Sequence, residues 1–157
     1  MGEMNIYSSA TAKDYYLAGC QFKEAAMRSF SDENGMIINN GQMMQLPAPT
    51  VVNGAFACEL FLKALVVWEN KPVRKEHDLG ILFDMLSPET QEGISRFCMP
   101  KGMVDYQDKF KALLMKYKNV FVDDRYYAER VGWQNMSPMA IITIAQNLAT
   151  ITSAYVC

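Results

Sequence analysis

The sequence predicts an all-α protein, an antiparallel up-and-down helical bundle that forms a single domain over residues 1–157. In several segments apolar residues recur at three- and four-residue steps, which is the spacing of a helix with one buried face. Two Ser-Pro pairs, beginning at Ser87 and Ser137, are typical of helix starts. No segment alternates apolar and polar residues over the length of a strand. A chain of 157 residues, half of them hydrophobic, is long enough to bury one substantial core.

The first helix is predicted over residues 12–30. Thr11 and Asp14 have the spacing of a capping box, in which a hydroxyl and a carboxylate satisfy free amides of the first turn. The apolar positions that follow form one stripe, made of Tyr15, Ala18, Phe22, Ala25, Ala26 and Phe30. One face of this helix should therefore be buried and the other solvated.

A long loop is expected over residues 31–49, where the helical periodicity gives way to Ser, Asp, Asn and Gly. The loop contains two Asn-Gly pairs, but neither stands between apolar runs that would form a hairpin. Thr50 can cap a second helix over residues 51–68, which is apolar almost all round and should be the most buried helix. The segment Asn70-Lys71-Pro72 ends it.

Four further helices are predicted, and three of them have a recognisable start. His77 or Asp78 can cap the third helix, and a Ser-Pro pair begins both the fourth and the last. The aromatic-rich residues 119–135 show no steady period and should be irregular. The predicted ranges of the four helices are 79–86, 88–97, 104–117 and 139–155.

The overall charge excludes some partners. A formal net charge of −2 and a pI near 5.4 give no general attraction to phosphate polyanions, so nucleic-acid binding would need a local basic patch.

The N-terminal residues lack the pattern of a secretion signal, and the two most apolar helices should fall short of a membrane span. The four cysteines, Cys20, Cys58, Cys98 and Cys157, form no Cys-x-x-Cys pair and should be free thiols. We therefore expect a cytoplasmic protein that is not embedded in a membrane.

Three common enzyme signatures do not occur in the sequence: a Gly-rich phosphate loop, a metal-binding His-Glu-x-x-His and a Gly-x-Ser-x-Gly nucleophile elbow. With one histidine and widely spaced cysteines, neither a metal site nor a cofactor is expected. Any functional site must then be assembled from isolated polar residues, of which three groups stand out.

Glu59 and Lys63 form the first group and lie one helical turn apart, in the order that favours an ion pair. One interpretation is a solvated pair on the one exposed strip of the second helix, worth about 0.3 kcal/mol. The alternative is a functional pair, because charges inside so apolar a helix are costly unless they meet partners or a cleft.

His77 and Asp78 form the second group, preceded by Arg74 and Lys75. They can simply cap the third helix, which is the commoner role of such residues. His77 is also the only imidazole in the protein, and an imidazole is the side chain best suited to proton transfer near neutral pH. If the protein is an acid–base enzyme that works through histidine, His77 is the catalytic residue.

Arg125 is the centre of the third group, beside Tyr126, Tyr127, Asp123 and Asp124. It can be a buried arginine that is paired with the carboxylates while the tyrosines pack. It can equally be a guanidinium that binds phosphate or a base, with aromatic surfaces beside it for stacking.

Three stretches stand in a fixed order along the chain: VNGAFACELFLKAL at 52–65, HDLGILF at 77–83 and FVDDRYYAE at 121–129. In this order they resemble segments of the HEPN family (higher eukaryotes and prokaryotes nucleotide-binding). The resemblance implies a helical bundle that frequently dimerises. It also implies a bacterial or archaeal setting, in which such domains act as RNases or nucleotide-linked modules in defence and toxin–antitoxin systems. A nucleotidyltransferase is then a candidate protein partner.

One family motif is missing from this chain. RNase members of the family carry an arginine followed four to six residues later by a histidine. No histidine follows Arg125, and Arg74 is only three residues before His77. This departure argues against metal-independent RNA cleavage by that motif.

Three functions remain as hypotheses. The first is a non-catalytic HEPN-like module, a homodimer, whose polar residues form one network in a cleft that binds a nucleotide, RNA or a partner protein. The ligand-binding residues would be Glu59, Lys63, His77, Asp78, Arg125 and Tyr126.

The second hypothesis is a divergent endoribonuclease. In it, His77 is the general acid or base and Arg125 stabilises the charge of the phosphorane. The third is a purely structural domain, which binds another protein through a Met- and aromatic-rich surface around Met43, Met44 and Trp133.

Overall fold

Six helices and a short hairpin make up the regular structure of the residues that the computed structural model describes, namely 9–30, 37–39, 42–44, 47–73, 75–118, 120 and 136–157. In chain order they are α1 (Ala12–Phe30), β1 (Ile37–Asn39), β2 (Gln42–Met44), α2 (Pro47–Trp68), α3 (Leu79–Asp84), α4 (Pro88–Cys98), α5 (Tyr106–Lys116) and α6 (Pro138–Val156). Within the described residues the all-α prediction is confirmed, and every predicted helix is present.

At the predicted helix starts, the expected side chains form the capping hydrogen bonds. The Thr11 amide donates to Asp14 Oδ2 at 2.8 Å, and the Asp14 amide donates to Thr11 Oγ1 at 3.1 Å, which completes the capping box. Ser87 accepts a bond from the Thr90 amide at the start of α4, and Ser137 accepts one from Ala140 at the start of α6.

The segment before α2 differs from its prediction. The helix begins at Pro47 instead of residue 51, so Thr50 is buried inside the first turn and is not its cap. Proline is tolerated in a first turn because the amide it lacks would have no helical partner there. Within the expected loop, β1 pairs antiparallel with β2. The strands are separated in sequence by one of the Asn-Gly pairs, which favours a two-residue hairpin even between very short strands.

The centre of the fold is α2, which packs antiparallel to α1. The ring of Phe61 lies so close to Gly19 that a Cβ on that glycine would stand 2.7 Å from a ring carbon. Further along the same pair, Phe22 meets Phe56 edge-on with ring centroids 4.5 Å apart. The absence of a side chain at Gly19 therefore sets how closely α1 approaches the central helix.

The last helix, α6, packs on another side of α2 and runs parallel to it. Ile141 contacts Gly54 near the start of both helices, and Tyr155 meets Trp68 edge-on near their ends. The consecutive helices α1 and α2 are antiparallel as predicted. The parallel α2–α6 pair arises because three short helices intervene in the sequence.

Those three helices form a second layer. The rings of Phe83 on α3 and Phe110 on α5 are 5.6 Å apart, whereas Gly80 near the start of α3 lies against Met115 near the end of α5, so α3 and α5 are antiparallel. Helix α4 meets α6 where the Tyr155 hydroxyl lies over Gly93. This layer holds the start of α3 against the middle of α2.

The cysteines are free thiols, Cys58 buried, Cys20 and Cys98 partly buried and Cys157 exposed. Burial raises the pKa of the Cys98 thiol to about 12 and raises that of Cys58 further. Thiols with so little thiolate at neutral pH are unreactive, so these two act as core residues.

Helices α2 and α6 are both long and apolar enough to cross a membrane by length and composition, contrary to the expectation that they fall short. Each is longer than predicted. For α2 the composition is explained by its place in the core, because 78% of its most apolar 18-residue stretch is buried. For α6 the buried share is 39%, so the core does not account for its outer face.

Candidate functional site

Glu59 lies in the middle of α2 and forms a buried ion pair with Lys63. Lys63 Nζ donates to Glu59 Oε1 at 2.6 Å, and the two side chains are only 11% and 3% exposed, respectively. The interpretation of a solvated pair on an exposed strip is therefore wrong. A buried pair of this kind is retained only where the geometry offsets the desolvation of both charges.

His77 reaches the same carboxylate oxygen from the segment before α3. Its Nδ1 lies 3.0 Å from Glu59 Oε1, and its side chain is 30% exposed. Because a carboxylate only accepts hydrogen bonds, Nδ1 is the donor, and a neutral ring then carries its lone pair on Nε2. Glu59 thus links a buried ammonium group to a partly exposed imidazole. We call these three side chains the Glu59 cluster.

The charges of the Glu59 cluster depend on the state of the imidazole. An ionised Glu59 and a protonated Lys63 cancel, so the cluster is neutral while His77 is neutral and carries one positive charge once His77 is protonated. The partly exposed ring of His77 can therefore present either a hydrogen-bond acceptor, when it is neutral, or a cation, when it is protonated.

The backbone on either side of His77 is fixed by two carboxylates. Glu76 Oε1 accepts from the amides of His77 and Asp78 at 2.9 and 2.8 Å. Asp78 Oδ1 accepts from the amides of Gly80 and Ile81 and caps α3. Asp78 therefore serves as the predicted helix cap, because its carboxylate accepts from these backbone amides.

The structure brings together three of the predicted site residues, Glu59, Lys63 and His77. Arg125 and Tyr126 lie outside the described residues, as do Arg74 and Trp133. Met43 and Met44 lie in β2, of which only the backbone is described. Among the described residues, no group of three His, Cys, Asp or Glu side chains is arranged to hold a metal ion.

A second polar cluster, at the end of α2, was not predicted. Glu69 accepts from the Ser87 amide at 2.9 Å and from the Ser87 hydroxyl at 2.8 Å, and it pairs with Lys71 at 2.6 Å. Lys71 also donates to the Met85 carbonyl at 2.7 Å. Burial is the largest single influence and raises the pKa of Glu69, but hydrogen bonds from Lys71, Thr90 and Ser87 together outweigh it and lower this pKa to about 2.

This second cluster, the Glu69 clamp, joins the end of α2 to the end of α3 and the start of α4. Asn70 adopts the left-handed conformation, and Lys71 donates its amide to the Val66 carbonyl, as in a Schellman motif. The sequence predicted the Ser-Pro start of α4 and the end of α2 at Asn70 as two separate features. Nothing in their spacing indicated that Glu69 would connect them across 18 residues.

The chain matches no family model, no curated protein and no solved structure. The likeness to the HEPN family therefore rests on the three stretches quoted above, and the site on its own geometry.

Proposed function

We propose that the protein is a non-catalytic HEPN-like helical module that binds a nucleotide or RNA at the Glu59 cluster, in the cytoplasm and in a bacterial defence or toxin–antitoxin context. The observation that supports this most is the contact between His77 Nδ1 and the buried Glu59 carboxylate. The buried carboxylate fixes the orientation of a partly exposed imidazole, which can then hold an anionic group in a defined position.

The phosphate of a nucleotide or RNA is the ligand group that this arrangement suits. A protonated His77 donates charge-assisted hydrogen bonds to an anionic group. Lys75 is exposed and precedes His77 by two residues, so it adds a positive charge to the same segment. The protein as a whole is acidic, so binding should depend on this local cationic edge and weaken as salt is raised.

Binding is favoured over cleavage because the described residues hold one imidazole. Cleavage of RNA by acid–base catalysis moves one proton away from the attacking hydroxyl and another onto the leaving oxygen, which ordinarily takes two groups. Glu59 is held in an ion pair with Lys63 and is buried, so it is poorly placed to be the second. His77 alone supplies half of that chemistry.

The same contact favours the divergent endoribonuclease as a second candidate. In many enzymes a carboxylate that bonds Nδ1 orients the histidine that acts as general base. The same arrangement here would leave His77 Nε2 in position to accept a proton. This function further requires Arg125, or another cation, to face the reacting phosphate. Release of cleaved product from a short RNA by the wild-type protein, and its loss in His77→Asn, would establish this candidate in place of the first.

The single histidine permits a direct test of ligand binding. The ring protons of His77 are the only imidazole signals in an NMR spectrum of the untagged protein, so they need no assignment. Adding AMP, ATP or a short single-stranded RNA should shift these signals in a saturable manner, with the RNA intact afterwards. Inorganic phosphate is the matched probe for the anionic group alone.

A variant with its charge change elsewhere provides the control. Lys75→Gln should weaken binding, whereas Lys109→Gln, on the exposed face of α5, should not. His77 signals that stay unmoved at saturating nucleotide and RNA would refute the proposal.

A further inference from the structure

A pocket of about 620 Å³ lies beside the end of α2. This volume is within the range of small-molecule sites in proteins, about 300–1,000 Å³. The residues around it include Trp68, Glu69, Lys71, Ser87, Glu89 and Tyr155. They bring together the ends of α2 and α6 and the start of α4. The pocket is separated from Glu59 by about 14 Å of helix, so it is a different place from the Glu59 cluster.

Two aromatic rings form one corner of this pocket. The ring centroids of Trp68 and Tyr155 are 4.9 Å apart, and the ring planes are inclined by 71°. Trp68 is 43% exposed, which leaves much of its surface open to a ligand. An aromatic face carries partial negative charge, so two rings at this angle can both present a face to a cation in the corner between them.

The charges around the pocket also favour a cation. Glu69 and Glu89 contribute two carboxylates and Lys71 one ammonium group, which gives a net charge of −1. Helices α2 and α6 both end here without a basic residue in the last turn, so each adds partial negative charge. The partial positive charge at the start of α4 is matched by Glu89 in its own first turn. A positively charged ligand is therefore attracted and an anion repelled.

The polar side chains around the pocket already bond one another. Lys71 Nζ lies between Glu69 Oε2 and the Met85 carbonyl, at 2.6 and 2.7 Å. The Ser87 hydroxyl lies 2.8 Å from Glu69 Oε1 and accepts from the Thr90 amide. A ligand that must donate several hydrogen bonds would compete with these contacts. A quaternary ammonium ion donates none, and its methyl groups suit aromatic faces.

We propose that this pocket binds a quaternary ammonium group, which sits between Trp68 and Tyr155 and is attracted by Glu89. Glu69 and Lys71 keep their structural role and form the wall of the pocket. The same group occurs in free compounds such as choline and in the head group of phosphatidylcholine, and the experiments below separate these two sources.

Choline and its neutral analogue form a matched pair of probes. The analogue has a tert-butyl group in place of the trimethylammonium group, so it has nearly the same shape without the charge. In saturation-transfer NMR titrations, the methyl signal of choline should show saturable binding to the wild-type protein. The neutral analogue should bind about tenfold more weakly, because it lacks the attraction to the aromatic faces and to the carboxylate.

Substitutions in the pocket should weaken choline binding in a graded way. Trp68→Leu keeps an apolar side chain but removes the aromatic face, so binding should fall about tenfold or more, whereas Trp68→Phe should retain part of it. Glu89→Gln should weaken binding about threefold. Glu92→Gln makes the same change three residues along α4, outside the pocket, and should leave binding unchanged. Circular dichroism checks that each variant is folded.

Flotation with phosphatidylcholine vesicles, with phosphatidylglycerol vesicles as the control, tests the lipid source. Choline binding without flotation assigns a soluble ligand, and flotation with phosphatidylcholine alone that Trp68→Leu abolishes assigns the lipid head group. Equal binding of choline and its neutral analogue would overturn the proposal. So would an absence of both binding and flotation, or binding that Trp68→Leu and Glu89→Gln leave unchanged. None of these substitutions alters Glu59, Lys63 or His77, so the result is independent of the nucleotide test.

Discussion

Glu59 lies within α2 and Glu69 directly follows its last residue; each is paired with a lysine, and each contacts a third residue from further along the chain. The third residue differs between them. Glu69 accepts from the backbone amide and hydroxyl of Ser87, whereas Glu59 contacts the imidazole of His77. One carboxylate holds the chain in place, and the other holds a side chain that has its own chemistry.

The Glu69 clamp has the properties of a structural element. Lys71 satisfies the Met85 carbonyl at the end of α3, and Glu69 places a negative charge at the start of α4, where the helix dipole favours it. Among the described residues, Glu59 contacts the side chains of Lys63 and His77, and the His77 side chain is partly exposed. Bonding partners, more than burial, distinguish a structural carboxylate from a candidate site here.

The largest effect is expected for Glu59→Ala. It leaves the Lys63 ammonium buried without its counter-ion, which should lower the free energy of unfolding by about 3–5 kcal/mol. Urea denaturation followed by circular dichroism measures this. A double variant, Glu59→Leu with Lys63→Met, removes both charges and should recover most of the stability while still losing nucleotide binding. If Glu59→Ala costs less than about 1 kcal/mol, the pair is hydrated and the desolvation argument does not hold.

The next largest effect is a loss of folding stability at acidic pH, caused by protonation of Glu69 in the Glu69 clamp. The pKa of Glu69 is about 2 in the folded protein and about 4.3 in an unfolded chain. The folded state thus favours the ionised form. The stability that this contributes is present above the unfolded pKa and is lost as the pH falls from about 5 to 2, by about 3 kcal/mol. Urea denaturation at a series of pH values should show it.

Glu69→Gln provides the control for the acid transition. It should be less stable at pH 7 and should lose less further stability on acidification than the wild-type protein does. Equal acid sensitivity in both proteins would assign the transition to other carboxylates.

A third prediction uses the two Ser-Pro helix starts as a matched pair. Ser137 caps α6 alone, so Ser137→Ala should cost about 1 kcal/mol. Ser87 caps α4 and also donates its hydroxyl to Glu69, so Ser87→Ala should cost about 2 kcal/mol. Thermal melts of the two variants give the comparison. Equal losses would show that the side-chain bond to Glu69 contributes nothing measurable.

Local signals in the sequence predicted most of the fold. Helix position followed from apolar spacing and from caps such as Thr11, Asp78 and Ser87, because these depend on residues within one turn of each other. The early start of α2 at Pro47 and the hairpin were missed, since both depend on turn preferences that periodicity does not report.

The candidate site was predicted only in part. Glu59 and Lys63 were recognisable because charges are costly in an apolar helix, and His77 because it is the one imidazole. That His77 would reach Glu59 depends on how α3 packs on α2, which no local pattern encodes. The Glu69 clamp was missed for the same reason. Arg125 stays a prediction.

The smallest change in stability, and the one most informative about function, is expected for His77→Asn. An asparagine amide can take the place of Nδ1 and keep donating to Glu59, but nothing replaces Nε2. The free energy of unfolding should therefore change by less than about 0.5 kcal/mol, while nucleotide and RNA binding are lost. His77→Gln does the reverse, because its amide reaches the position of Nε2 and gives up the Glu59 bond. It should cost about 1 kcal/mol and retain part of the binding.

Calorimetric titration with ATP, alongside urea denaturation, separates the two roles. If His77 only completed the Glu59 cluster as a structural element, both variants would change stability and neither would change binding. The opposite result, binding lost in His77→Asn at unchanged stability, would place the ligand at Nε2. The Glu59 cluster would then differ from the Glu69 clamp in function as well as in its partners.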